Sequence, residues 1–307
     1  MFDRFDSRVI VNGSVVAETG LHIGSGATLL DPSATDSPVI RDAAGWPFIP
    51  GSSLKGALRA HLERLLRGLQ IDALPACDPL ADPCLPETRR DGNQGDGAPE
   101  TLAEIKRRIK KGALSDAESD ELLAREVWMR SCAICRLFGS NALAARLMIR
   151  DLFVDPDLWV GRTELRDGVG IDRDTEAARQ NIKYDFEVVP ATTRFKLEMI
   201  LDNGSLDIAA PGDGEAKSVR PDSAFGLLAI GLRELEKGRV ALGGKTTRGL
   251  GKIRFELEEI EVIGDDRTQL LNYLITGAGR KLSKNDAEAY LRAKLDDFQT
   301  KALNAGR

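Results

Sequence analysis

The sequence contains no apolar run long enough to span a bilayer. Its first residues, MFDRFDSRVIV, carry acids and lack the apolar core and cleavage site of a secretory leader. Both absences predict a cytoplasmic protein with no membrane partner. Histidine is scarce: His22 and His61 are the two, and neither lies near a cysteine in the chain. That argues against a cysteine–histidine nucleophile. There is no excess of positive charge either, since 43 Lys and Arg stand against 48 Asp and Glu, a net of −5. With 42% hydrophobic and 30% charged residues over 307 positions, the composition suits a globular chain with a sizeable core, either two domains or one core with large insertions.

The charge deficit is local. Residues 71–126 hold 13 acids and 8 Lys/Arg, a net of −5 that accounts for the whole imbalance. Residues 238–254, GRVALGGKTTRGLGKIR, hold five Lys/Arg and no acid. A polyanion responds to local potential more than to the total, so this stripe keeps nucleic acid among the partners.

The four cysteines are Cys77, Cys84, Cys132 and Cys135. Disulfides are not expected in a cytoplasmic chain. The spacing C-x6-C, a gap of 47 residues, then C-x2-C resembles a split four-cysteine zinc site. Either these are four unrelated buried thiols, or the CxxC turn and the Pro-flanked CDPLADPC bring four thiolates onto one ion.

RVIVNGSVVAETGLHIG is β-branched and reads as a strand pair or one long bent strand. A proline-broken loop and short strand follow, and Ser52 or Ser53 can cap the next helix. That helix has Leu54, Leu58, Leu62, Leu65 and Leu66 as its apolar stripe. Residues 70–126 read as an insertion with short charged helices at 101–111 and 116–126. ARLMIRDLFV is a strand, and 160–183 a protruding loop or hairpin without clear period. RFKLEMIL alternates, with Phe195, Leu197, Met199 and Leu201 on one face. A second helix turns Phe225, Leu228, Leu232 and Leu235 inward, and strands return up to residue 263. A last helix starts at a Ser283–Asp286 capping box and buries Ala287, Tyr290, Leu291, Leu295 and Phe298. Without insertions the order is β, α, β, β, α, β, an α+β chain of ferredoxin-like or split βαβ type.

Several motifs carry chemistry alongside a plainer meaning. GSSLKGALR puts helix N-terminal amides beside Lys55 and Arg59, as an anion site or as an ordinary capped helix. GGKTTRGLG has four glycines in nine residues with Lys245 and Arg248. It fails as a Walker A loop because Arg239 stands where glycine is required. A phosphate cradle, a structural turn and a flexible lid all remain. His22, between glycines, is structural or a contact to phosphate or base. Asp31, Asp36 and Asp42 cap turns by default, and residue chemistry alone does not choose among them.

GLHIGSG, DSPVIRDAAGWPFIPGSSLKGALR, CAICRLFGS, GVGIDRDTEAAR…YDFEVVP and LGGKTTRGLGKI, in that order, resemble the RAMP superfamily of CRISPR systems, above all the backbone subunit of type III effector complexes. The resemblance covers most of residues 8–255. It implies a ferredoxin-like, RRM-like palm at 1–69 and 127–265 with a thumb hairpin at about 160–189. It also implies an acidic insertion at 70–126 closed by the zinc site with 127–136, and 266–307 becomes a C-terminal helical extension. Copies of such a subunit stack along a guide RNA (crRNA) with other effector subunits, and each thumb kinks the guide–target duplex. Target RNA is then cut by metal-dependent (Mg²⁺ or Mn²⁺) 2′-OH attack at a loop Asp. The family pattern acid–Ser/Asn–Pro–Val–Ile–basic puts that residue at Asp36, leaving Asp42 as a turn residue. RNA contacts would come from His22, Ser52, Ser53, Lys55, Arg59, Arg166, Arg173, Lys245, Thr246 and Arg248. Cys77, Cys84, Cys132 and Cys135 would hold structural zinc. The alternatives are a non-catalytic RNA-binding scaffold of the same complex, and a metal-independent guide-processing nuclease in which His22 matters more.

Overall fold

The computed structural model describes residues 5–26, 35–71, 74–88, 100–112, 114–174, 176–204, 224–264 and 266–304. In chain order the elements are β1 (Arg8–Ala17), β2 (Phe48–Ile49), α1 (Gly51–Leu69), α2 (Leu102–Lys110), α3 (Asp116–Arg130) and α4 (Ala133–Phe138). Then come β3 (Leu147–Ile149), β4 (Leu152–Phe153), β5 (Glu164–Ile171), β6 (Ala178–Val188), β7 (Arg194–Asp202) and α5 (Ala224–Glu236). β8 (Ile253–Ile263), α6 (Arg267–Thr276), β9 (Arg280–Ser283) and α7 (Lys284–Asn304) complete the chain.

β1 is a single strand. Its alternating valines bury Val9, Val11 and Val15 on one face, and a register shift at Asn12/Gly13 supplies the bend. Glycine is needed at that shift, because a Cβ on Gly13 would lie 2.4 Å from the Glu256 carbonyl oxygen. β1 pairs antiparallel with β7 on one side and β8 on the other, and the five-stranded sheet runs β3-β7-β1-β8-β9. Since β7 is antiparallel to both, β1 and β3 run parallel across it, joined through α1.

α1 and α5 bury their leucines in the sheet's core: Leu54, Leu58 and Leu62 from α1, and Phe225, Leu228, Leu232 and Leu235 from α5. Truncating Leu58, which is fully buried, to Ala costs about 2–5 kcal/mol. Leu65, expected in the α1 stripe, is instead 38% exposed, because Leu66 already covers the core side of that turn. The expected serine cap is also corrected. Pro50 occupies the N-cap without a side-chain bond, and the Gly51 N–H is taken by Asp151 Oδ1 at 2.8 Å. An acceptor brought from the far side of β3 makes a local serine cap unnecessary.

The acidic segment forms α2 and α3, each opened by a capping box, Thr101–Glu104 and Ser115–Glu118. They pack Ile105, Ile109, Val127 and Trp128 into a second, smaller core. The guanidinium groups of Arg136 and Arg146 both pack on the Trp128 ring, 4.7 and 4.9 Å from its centre. Residues 164–188 form an antiparallel hairpin, β5–β6, outside the main sheet. The C-terminal segment is more than helical: β9 extends the sheet by pairing with β8, and α6 precedes it. Neither element has a periodic signal in so short a stretch. α7 then follows from Ser283, whose hydroxyl donates to Asp286 at 2.9 Å, and Ala287 is fully buried.

Candidate functional site

Four segments distant in sequence meet at the base of the β5–β6 hairpin. Residues 21–25 bridge β6 and the Asp36 segment, through Leu21 to Val189 and Gly24 to Val39. Residues 36–39 lie along β6. The Asp36 N–H donates to Asp185 Oδ1 at 2.7 Å, and the Asp185 N–H donates to Asp36 Oδ2 at 3.0 Å. One step on, the Glu187 N–H donates to the Ser37 carbonyl, and the Val39 N–H donates to Glu187 Oε2. Arg41 completes this edge with an ion pair to Glu187 at 3.0 Å. Asp36 itself is exposed, with its carboxylate at the surface.

His22 is the buried pin of this junction, 5% exposed. Its Nδ1 donates to the Glu187 carbonyl oxygen at 2.7 Å, and its Nε2 lies 3.3 Å from the Ser37 hydroxyl. The Gly244 N–H donates to the His22 carbonyl at 2.8 Å. Glycine is required next door: Gly243 has φ +80°, and a Cβ there would lie 2.3 Å from that same carbonyl oxygen. His22 is therefore held by internal partners and edge-on to Phe186, where a contact to RNA was expected of it.

Side chains alternate along β6, so Tyr184 and Phe186 face away from Asp185 and Glu187. They meet the Gly-rich loop. Lys245 Nζ sits 4.3 Å from the Phe186 ring centre, and Arg248 donates to the Tyr184 hydroxyl at 2.7 Å. Thr246 and Arg248 are exposed in a short 3₁₀ turn. Lys245, Thr246 and Arg248 thus form a cationic surface directly behind the Asp36 edge.

The other expected contacts sit elsewhere. Lys55 and Arg59 share one face of α1, but that face is turned toward residues 139–147. Lys55 Nζ donates to the Leu147 carbonyl at 2.9 Å, and Arg59 donates to the Gly139 carbonyl and to Glu63. Burial, with the Arg59 charge adding to it, pushes the Lys55 ammonium below its usual pKa. Ser52 is exposed and Ser53 half-buried in the first turn of α1. Arg166 pairs with Glu164 on β5, and Arg173 is exposed near the hairpin tip. Asp42 caps a turn, its carboxylate accepting from the Ala44 and Trp46 N–H groups. Asp31 lies outside the described residues. Sequence reasoning missed Tyr184, Asp185 and Glu187. Their signal was the aromatic–acid alternation of YDFEV.

The four cysteine sulfurs lie within 4.8 Å of one another, with Cys77 to Cys135 at 3.4 Å and Cys77 to Cys132 at 3.7 Å. Tetrahedral thiolates on one zinc ion stand about 3.8 Å apart. Hydrogen bonding from Cys135 and Cys77 pushes Cys132 below the usual thiol range, and bonding to Cys132 pushes Cys135 above it. A central cation would let all four sulfurs ionise and share their charge. The cluster is thus a candidate metal centre, uniting residues 77–84 with the start of α4.

Comparison with known proteins identifies the family of the chain. The model of the RAMP superfamily matches residues 14–254. The "CRISPR system Cms endoribonuclease Csm3" of Methanocaldococcus jannaschii is 28% identical, over 81% of this chain and 78% of its own length. Proteins of the same name from Methanothermobacter thermautotrophicus and Streptococcus thermophilus are each 26% identical. The first alignment covers 82% of this chain and 85% of the relative, the second 88% and 97%. With a family match running from β1 to the start of β8, the chain belongs to the RAMP superfamily.

Proposed function

We propose that this chain is a guide-RNA-binding backbone subunit of a type III CRISPR effector complex, and that it cleaves complementary target RNA with Asp36 as the catalytic residue. The observation that carries this reading is the exposed Asp36 carboxylate, fixed against the base of a protruding hairpin and backed by a cationic loop. The endoribonuclease name of relatives aligned over most of their length supports the reaction class.

The palm is ferredoxin-like in this reading, and the β3-β7-β1-β8 order supports it. The hairpin acts as the thumb. Leu165, Val169 and Ile171 are exposed on β5, apolar side chains suited to wedging between bases. A displaced base frees its ribose from A-form geometry, and the 2′-OH then lines up with the adjacent phosphate. Asp36 orients or deprotonates that hydroxyl, and the attack expels the 5′-oxygen of the next nucleotide and leaves a 2′,3′-cyclic phosphate. Lys245, Thr246 and Arg248 grip the RNA backbone, while base pairing to the guide reads sequence.

A divalent ion, Mg²⁺ or Mn²⁺, would neutralise charge at the phosphate. The exposed Asp36 carboxylate would supply one oxygen to it, and phosphate and water oxygens would complete the shell, as Mg²⁺ prefers. Zinc is the ion expected at the four cysteines, from their all-sulfur donor set and spacing. It would tie the acidic insertion to the palm and keep that insertion off the RNA or against a protein neighbour. Further copies of this chain and other effector subunits would complete the assembly.

The deciding experiment is cleavage of guide-matched RNA by the assembled complex, with Asp36→Ala alongside. Loss of cutting with target binding retained is expected. Unchanged cutting removes Asp36 as the catalyst, and cutting that survives EDTA favours a metal-independent nuclease.

A further inference from the structure

Asp36 and Asp185 do more than lie near each other. Each uses its carboxylate to hold the other's backbone N–H, at 2.7 and 3.0 Å, across 149 residues of sequence. Reciprocal bonding of this kind fixes both backbones and leaves each carboxylate one oxygen outside the bracket. We propose that Asp185 is the positioning residue of the cleavage site: it sets Asp36 against the hairpin so that cutting is coupled to hairpin placement. This inference rests on the assignment of Asp36 made above.

Two observations carry it. The Asp36 segment is bonded to β6 by Asp185 at the catalytic residue and by Glu187 at Ser37 and Val39. β6 is also the hairpin strand whose opposite side carries Tyr184 and Phe186, the seats of Arg248 and Lys245. One strand therefore connects the catalytic carboxylate, the cationic loop and the wedge on β5. A hairpin displaced from the duplex would carry Asp185 with it and leave Asp36 unanchored.

Position and charge are separable at residue 185. Asparagine retains the oxygen that accepts the Asp36 N–H and loses the charge, whereas alanine loses both. In the assembled complex with guide and matched target RNA, Asp185→Ala is expected to lower the single-turnover cleavage rate about 10- to 100-fold, the cost of a misplaced catalytic group. Target binding should be unchanged. Asp185→Asn is expected to restore the rate to within about threefold of the parent at the same half-saturating Mn²⁺, because the bracket to Asp36 survives. Hydrogen exchange at residues 35–41 should rise in the alanine variant and not in the asparagine one. An asparagine variant as slow as alanine, with a raised Mn²⁺ requirement, makes Asp185 a charge donor and overturns the inference. So does a wild-type rate for alanine. Asp36→Ala is run in parallel: if it is inactive while Asp185→Ala cuts normally, only this inference falls. If Asp36→Ala cuts normally, the assignment of Asp36 falls and takes the catalytic role of Asp185 with it.

Discussion

The four-cysteine cluster and the Asp36 junction both gather segments far apart in the chain, and they do so by opposite means. The cluster concentrates one residue type in a half-buried pocket, where four sulfurs converge on a single point. The junction uses no repeated residue. It is built from individual hydrogen bonds between groups that range from buried to exposed: Asp36 with Asp185, Ser37 with His22, and Val39 with Glu187. The first arrangement suits a permanent structural tie. The second keeps its key carboxylate in water, where a substrate can reach it, and relies on a strand to hold it steady. Rigidity is bought with burial in one place and with backbone pairing in the other.

The comparison is broken most severely by Asp36→Ala. Cleavage should fall about 100- to 10,000-fold, as for loss of a general base, read as a single-turnover rate in the assembled complex. Metal content at the cysteines should not change. Cys135→Ser is the converse: purified protein should drop from about one zinc per chain to none, and limited proteolysis should then open residues 74–88 first. Full zinc occupancy in that variant would contradict a four-thiolate site. Next comes Arg248→Ala, which removes an exposed cation seated on Tyr184. Guide RNA affinity should fall about tenfold, and the salt dependence of binding should lose about one unit of slope. Arg59→Ala should leave that slope alone, because Arg59 is spent on Glu63 and Gly139.

The smallest effect concerns pH. Hydrogen bonding to Arg194, with the Arg194 and Arg254 charges, holds Glu256 below its usual 4.5. A depressed folded pKa adds stability above the unfolded value, and that stability is lost as pH falls through the folded one. Melting temperature should therefore decline slightly more steeply below pH about 4.5 in the parent than in Glu256→Gln. The pair is worth under about 1 kcal/mol, being partly exposed.

Much of the scaffold was legible in the chain because its signals are periodic. Alternation in RFKLEMIL specified β7, and leucines at helical spacing specified α1. The cysteines were legible by type and spacing. β9 and α6 were not: a four-residue edge strand has too few positions to display a period, and α6 buries none of its residues. At the junction, resemblance singled out Asp36, and the alternation of YDFEV marked Asp185 as facing one side of its strand without saying what it would meet there. Lys55 and Arg59 looked like an anion site because sequence gives the helix face and not the direction in which that face turns.

The sequence by itself determined most of the strands and helices, the basic character of residues 238–254 and which four residues could share a metal. Those properties are local, set by side-chain type, spacing and charge. Only the tertiary structure decided that β6 carries Asp185 on one side and the seats of Lys245 and Arg248 on the other, and that His22 is enclosed while Asp36 is exposed. Such outcomes depend on the pairing of segments 149 residues apart, where a single hydrogen bond leaves no trace in either stretch alone.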